Sequence, residues 1–177
     1  MCRDGRYLAY VRVPLGSQPA VWILPLTGDR KPFALVQSQF TNTYPAFSPD
    51  CKWVAYTSDE TGQLEVYIIH FPEITRKYQV STQGGTRPHW RGDGRELFYF
   101  SVPQNSMMAV NVDEKAEEIA LGSPRALFHP AGRIQPTTGI FDVTADGRRF
   151  LIVETNSPSD TVPLTLVTNW EAELKKR

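Results

Sequence analysis

Cysteine and histidine are scarce in this sequence: two and three among 177 residues. With so few soft and imidazole ligands, a zinc centre built only from cysteine and histidine is not expected. The chain also has no G-x-S-x-G elbow, H-E-x-x-H pair, P-loop or G-x-G-x-x-G turn, so the chemistries those motifs carry have no local support. Charge of one sign is missing as well. Nineteen basic residues balance nineteen acidic ones, which removes the electrostatic reason to expect nucleic acid or an anionic membrane as partner. No apolar run approaches the ~20 residues that span a bilayer, and residues 1–20 hold no signal-peptide h-region. The chain is therefore expected to insert in no membrane by itself and to stay in the cytoplasm if expressed alone. Helix signals are nearly absent. Asp113–Leu121 has good helix formers, but its charges and the following Gly122-Ser123-Pro124 favour a long hairpin loop.

What the sequence does have is one pattern used four times. Tyr44–Ser58 reads Y-P-A-F-S-P-D-C-K-W-V-A-Y-T-S: two short aromatic and apolar runs around Ser48-Pro49-Asp50-Cys51-Lys52. Proline presets φ for a turn, and serine and aspartate side chains bond backbone two residues on. The stretch reads as two antiparallel strands and a tight turn. Aligned on Asp50, the pattern returns at Asp4-Gly5-Arg6, Asp93-Gly94-Arg95 and Asp146-Gly147-Arg148, with spacings of 46, 43 and 53 residues. A self-similar unit of roughly 40–50 residues carrying several strands predicts an all-β propeller, one four-stranded sheet per repeat. Glycine after aspartate supplies a positive φ cheaply. Cys51 breaks that rule, so its turn is expected to be strained or of another type.

The repeats fall near 1–38, 39–81, 82–129 and 130–177. Met1 aligns with Phe47, so the first repeat lacks most of its innermost strand, and the fourth turns polar after Trp170, with a short helical tail expected from Asn169. The reading is about four blades, two of them incomplete, from a larger ring of about six to eight. Open edges and apolar blade faces at the break are expected to favour self-association. Cys2 and Cys51 lie beside equivalent turns of neighbouring repeats, an arrangement expected to hold them beyond the ~7 Å that a disulfide tolerates. Two free thiols are expected.

Residues 44–58 resemble the TolB-type, WD-like propeller repeat of bacteria, whose hallmark is S-P-D-G, a basic residue and an aromatic or apolar strand. The tail, Phe141-Asp142-Val143-Thr144-Ala145-Asp146-Gly147-Arg148-Arg149-Phe150-Leu151 with Pro163–Trp170 and Leu174-Lys175-Lys176, is similar to the extreme C-terminus of bacterial propeller sensor domains. Many of these follow a serine/threonine kinase domain and a membrane helix and lie outside the membrane. The resemblance covers essentially the whole chain and implies a binding or scaffold role. It assigns any signalling to a longer parent protein and places the propeller outside the cytoplasm there, in the periplasm or at the cell surface. Two other implied readings are the regulatory propeller of a prolyl-oligopeptidase-type peptidase and a TolB-like periplasmic interaction propeller.

Candidate residues follow from the predicted blades. His89 aligns with Ala46 and Asp142 on the innermost strands, where a polar side chain can face the central channel or be satisfied between blades. The inter-blade loops 39–43, 82–87 and 130–138 are expected to emerge together near the axis, with Asn42, Tyr44, Arg87, Arg133 and Gln135 as recognition candidates against a background of plain solvation. His70 and His129 are isolated. Asp59 and Glu60 fall short of the six to eight oxygens of a calcium site. Asp50, Asp93 and Asp146 belong to repeated turns, and Trp22, Trp53, Trp90, Tyr56, Phe98 and Tyr99 read as inter-blade core. A lactonase- or glycosidase-like enzyme would need a convergent carboxylate or metal set that the sequence does not show. The chain is thus expected to be non-catalytic, without cofactor or metal, and to bind a protein or small ligand.

Overall fold

The computed structural model describes residues 1–115, 118–132, 141–153 and 164–168. Among them there is no helix. Fifteen strands form four antiparallel sheets in chain order. The first is β1 (Tyr7–Arg12), β2 (Ala20–Pro25) and β3 (Phe33–Val36). The second is β4 (Asn42–Phe47), β5 (Trp53–Ser58), β6 (Glu65–His70) and β7 (Lys77–Gln79). The third has β8 (Thr86–Trp90), β9 (Glu96–Ser101) and β10 (Ser106–Lys115), with β11 (Glu118–Leu121) and β12 (Arg125–Phe128) both paired to β10. The fourth is β13 (Phe141–Val143), β14 (Arg149–Val153) and β15 (Leu164–Thr168). This is a partial β-propeller. The helical tail expected from Asn169 lies outside the described residues.

Period-two alternation in the central strands stacks the sheets. Every residue of β5 and β9 is buried, because each strand offers one face to the blade before it and the other to the blade after. Val54 and Tyr56 join Val21, Ile23 and Leu35 of the first blade. Trp53 and Ala55 point the other way, against Leu97, Tyr99 and Val110 of the third. Phe98 and Phe100 then meet Phe141, Phe150 and Ile152 of the fourth. Four of the six aromatics assigned to inter-blade core sit in these clusters, and Trp90 packs against one. Trp22 does not. It pairs across from Tyr10 on the opposite face of the first blade, half-buried, with the Arg12 guanidinium 4.7 Å from its ring centre.

Asp113–Lys115 and Glu118–Leu121 pair as a two-stranded ribbon. Lys115 pairs with Glu118 and Val112 with Leu121. Val112 and Ile119 are buried against the second blade, and Lys52 Nζ bonds Glu114 at 2.7 Å. Burial of one face of the strand pair outweighs the helix propensity of its glutamates and lysine.

All four aspartate turns have one geometry. The residue after aspartate has φ of 75° at Gly5, 66° at Cys51, 76° at Gly94 and 72° at Gly147. Its N–H bonds the carbonyl three residues back, at 3.0, 2.9, 2.9 and 2.8 Å. Each aspartate Oδ1 also accepts the N–H of the basic residue two on, at 2.9 to 3.2 Å. Asp93 is further held by Arg91, whose guanidinium brings its carboxyl down to about 2. Cys51 therefore adopts the same turn as the glycines, with the left-handed strain of a residue that carries a Cβ.

The expectation of two free thiols is overturned. Cys2 and Cys51 form a disulfide, with Cα atoms 5.6 Å apart. The error was to apply the spacing of whole blades to turns at their inner edges, where blades fan in toward the axis. The other turns confirm the convergence. Gly92 N donates to Ala145 O at 2.8 Å, and Arg3 Nη1 of the first turn reaches Gly92 O of the third at 3.4 Å. The cross-link spans 49 residues, a loop whose closure entropy corresponds to about 4 kcal/mol. In urea unfolding under reducing conditions, Cys51→Gly is expected to exceed the wild type by about 1 kcal/mol, because glycine takes the left-handed conformation without strain. Under non-reducing conditions the order is expected to reverse, because only the wild type keeps the cross-link.

Candidate functional site: the axial wall

The main contacts between the second blade and its neighbours run through β4 and β8: β1 and β2 lie on β4, and β5, β6 and β4 on β8. These two strands form the wall nearest the axis, and each is broken at the same place. The β4–β5 register shifts between Thr43 and Ala46. The β8–β9 register shifts between Thr86 and His89. At the two bulges Tyr44 has φ of 51° and Arg87 of 56°. Each precedes a proline, Pro45 or Pro88, which has no N–H to give to a ladder. An X-Pro pair inside a strand pattern was the sequence signal for these bulges.

The bulges bring Tyr44 and Arg87 together from adjacent blades. The Arg87 guanidinium carbon stands 4.1 Å from the Tyr44 ring centre, and Nη2 donates to the Tyr44 hydroxyl at 3.0 Å. The wall is sewn laterally by Arg87 N to Thr57 Oγ1 at 3.1 Å and Trp90 Nε1 to Ala46 O at 3.1 Å. Neither Thr57 nor the Trp90–Ala46 bond was singled out in the sequence, since neither leaves a pattern there.

His89 and Asp142, aligned on sequence, meet across the next boundary. His89 Nδ1 lies 3.7 Å from Asp142 Oδ1, and its ring is 4.7 Å from that of Phe141. Burial pushes the His89 imidazole below its usual value, Asp142 opposes that shift and Arg87 reinforces it. Asn42 is placed differently. It is buried, and its Nδ2 donates to Phe40 O at 2.8 Å and Ser38 Oγ at 3.1 Å, shaping the loop that enters β4. Arg133 and Gln135 lie outside the described residues.

The arrangement suits recognition: a stacked cation and phenol, then an imidazole and a carboxylate, on a wall of fixed backbone. Among the described residues the group of metal-ligand atoms within 4.8 Å of one another is Cys2, Asp4 and Cys51. The disulfide takes both sulfurs and leaves one carboxylate, too few donors for a stable ion.

In structure the chain is similar to TolB from Agrobacterium tumefaciens, with a TM-score of 0.71 and 16% identity over 96% of this chain and 60% of that one. It is also similar to the β-propeller domain of Cps50 (Swd1) from Myceliophteria thermophila, with a TM-score of 0.57 and 13% identity over 93% of this chain and 52% of that one. A third likeness is to a structure from a study of two prolyl endopeptidases, with a TM-score of 0.55 and 14% identity over 95% and 28% of the respective chains. No family model and no curated protein matches the sequence. The chain spans about 60% of the length of the TolB structure. At these identities the likeness shows the propeller fold.

The pairing of His89 with Asp142 and Arg87 is open to titration by imidazole NMR. Asp142→Asn removes the one carboxylate that favours the imidazolium and is expected to lower the His89 pKa further. Arg87→Ala removes a like charge and is expected to raise it. Because the folded pKa is depressed, His89 contributes stability above its unfolded pKa near 6.5. That contribution fades as pH falls below that value toward the folded one.

Proposed function

We propose that the chain is a binding region of a β-propeller that recognises a protein or small ligand at the axial wall without converting it. The observation that carries this reading is the repeated bulge. Left-handed backbone at tyrosine and arginine costs about 1–2 kcal/mol each, and such strain concentrates at binding and switch positions. The likeness to TolB and to the Cps50 propeller domain supports the propeller architecture on which this reading is built. The prolyl endopeptidase likeness favours a second reading, in which the chain regulates access to a peptidase domain elsewhere.

The Cys2–Cys51 disulfide supports an extracytoplasmic setting, since such bonds persist in oxidising compartments. A place in a larger bacterial signalling protein, such as a receptor-type serine/threonine kinase, rests on the resemblance of the tail motif alone. Tyr10, Trp22, Leu8 and Leu24 share one half-buried face of the first blade, and β1 is an edge of its sheet. Both features support self-association of the chain on its own. Light scattering coupled to size exclusion is expected to show a mass above 20.0 kDa that falls on Trp22→Ser. A monomer at all concentrations would refute self-association.

Binding itself can be tested by selecting peptides from a display library on the oxidised chain and measuring the selected peptide by calorimetry. Arg87→Ala and Tyr44→Ala are expected to weaken it about tenfold or more, as truncation of arginine and aromatic anchors does. Lys31→Ala, on an exposed loop, is expected to leave it unchanged. A selected peptide indifferent to both axial substitutions would refute the axial reading.

A further inference from the structure

A cleft lies away from the axial wall, on the face of the third blade that looks toward the second. It is walled by Thr82, Gln83 and Gly84 of the connection between those blades and by Gln104 of the β9–β10 turn. Its floor is Tyr99, Ser101, Met108 and Ala126, and its volume is about 340 Å³. That lies at the small end of ligand clefts, which run from roughly 300 to 1,000 Å³. Sheet geometry makes this floor. Tyr99 and Ser101 alternate onto one face of β9, Met108 stands opposite Tyr99 on β10, and Ala126 stands opposite Met108 on β12.

The walls are held from behind. The buried Glu65 carboxylate accepts Gly84 N at 2.9 Å and Gln63 Nε2 at 2.6 Å and is bonded by the Ser81 hydroxyl. Gly85 N donates to Leu64 O at 2.8 Å. Gln104 Nε2 donates to Gln83 Oε1 at 2.9 Å and joins the two loops. Gly84 has a φ of 84°, and a Cβ there would lie 2.7 Å from the Pro103 ring, so the close approach of the loops requires glycine.

Two features define what this cleft suits. None of the residues lining it is ionised at neutral pH, so nothing there offsets the desolvation of a charged ligand. The Ser101 hydroxyl is fully buried and has no hydrogen-bond partner among the described residues, although an orphaned buried polar group costs about 1–3 kcal/mol. The remaining polar side chains, the two amides and the Thr82 and Tyr99 hydroxyls, can each donate and accept. A polyol has the same ambivalence at every hydroxyl. A peptide strand, by contrast, has fixed donors and acceptors along its backbone.

We propose that the cleft binds a neutral polyhydroxy ligand, a saccharide of one or two units, with Ser101, Gln83 and Gln104 as its polar contacts. This site is independent of the axial reading and stands whether or not that reading holds. The test is titration of the oxidised chain with glucose and N-acetylglucosamine, and with glucuronate and glucosamine as charged controls, followed by amide NMR. The neutral sugars are expected to shift Thr82–Gly84 and Gln104 at millimolar concentration, and the charged ones to bind more weakly. Ser101→Ala is the discriminating variant. Removing an orphaned hydroxyl is expected to leave the unliganded protein as stable as before or more so, while weakening neutral-sugar binding about tenfold. Gln104→Ala is expected to weaken binding without shifting the amides of the axial wall. Absence of shifts with either neutral sugar, equal binding of charged and neutral sugars, or unchanged binding in Ser101→Ala would each overturn the proposal. So would a destabilised Ser101→Ala, since it would mean that the hydroxyl has a partner in the protein.

Discussion

Burial of the central strands on both faces is the constraint on which the structure depends. β5 and β9 have no solvent side, so neither sheet is stable as a free layer. Each needs a neighbour in front and behind, and the three apolar clusters are those neighbours' contacts. Stability in such an array belongs to interfaces more than to units. Among the described residues the first blade meets the second through Val21, Ile23 and Leu35, and there the disulfide adds a covalent tie.

The same stacking explains how far the fold could be read from sequence. Near-continuous apolar runs such as W-V-A-Y and L-F-Y-F report burial on two faces, and the Asp-Gly turns report where each pair of strands reverses. These are local signals, and strand positions followed from them to within a few residues. Distances between repeats are not local. The sequence shows that Cys2 and Cys51 sit in equivalent turns. It does not show that those turns crowd together at the axis, and whole-blade spacing led to the wrong expectation. Trp22 went astray for a related reason: its pattern says it is buried on one face, but not whether another blade lies against that face.

The candidate site divides along the same line. His89 and Asp142 were placed together by alignment of the repeats, because residues at one repeat position share one place in the ring, and Tyr44 and Arg87 by the expectation that the inter-blade loops emerge together near the axis. The bulges had a local signal in Tyr44-Pro45 and Arg87-Pro88 that went unread, whereas the stacked pair and the bonds from Thr57 and Ala46 were not legible, since each depends on how one blade leans on the next. Asn42 was grouped with the recognition residues because loop polarity cannot distinguish a side chain facing solvent from one that closes its own loop. The cleft around Ser101 left no sequence signal at all. Its residues come from separate segments and are neither charged nor patterned.

Backbone strain at Tyr44 and Arg87 ties recognition to the architecture. A bulge in an isolated hairpin would relax, because nothing would oppose the return of either residue to extended backbone. Here the Arg87 N–H is held by Thr57 of the preceding blade, and the strand below it is fixed by the Trp90–Ala46 bond. Buried apolar contacts on both sides of β9 keep the sheet from sliding to relieve the strain. The geometry of the wall is therefore a property of two blades in contact and cannot be assigned to either alone. A ligand that bridges Tyr44 and Arg87 would bind the junction between repeats, so its affinity would report how the blades are seated. In the proposed reading, whatever shifts one blade against the next would change a surface that neither blade can form alone.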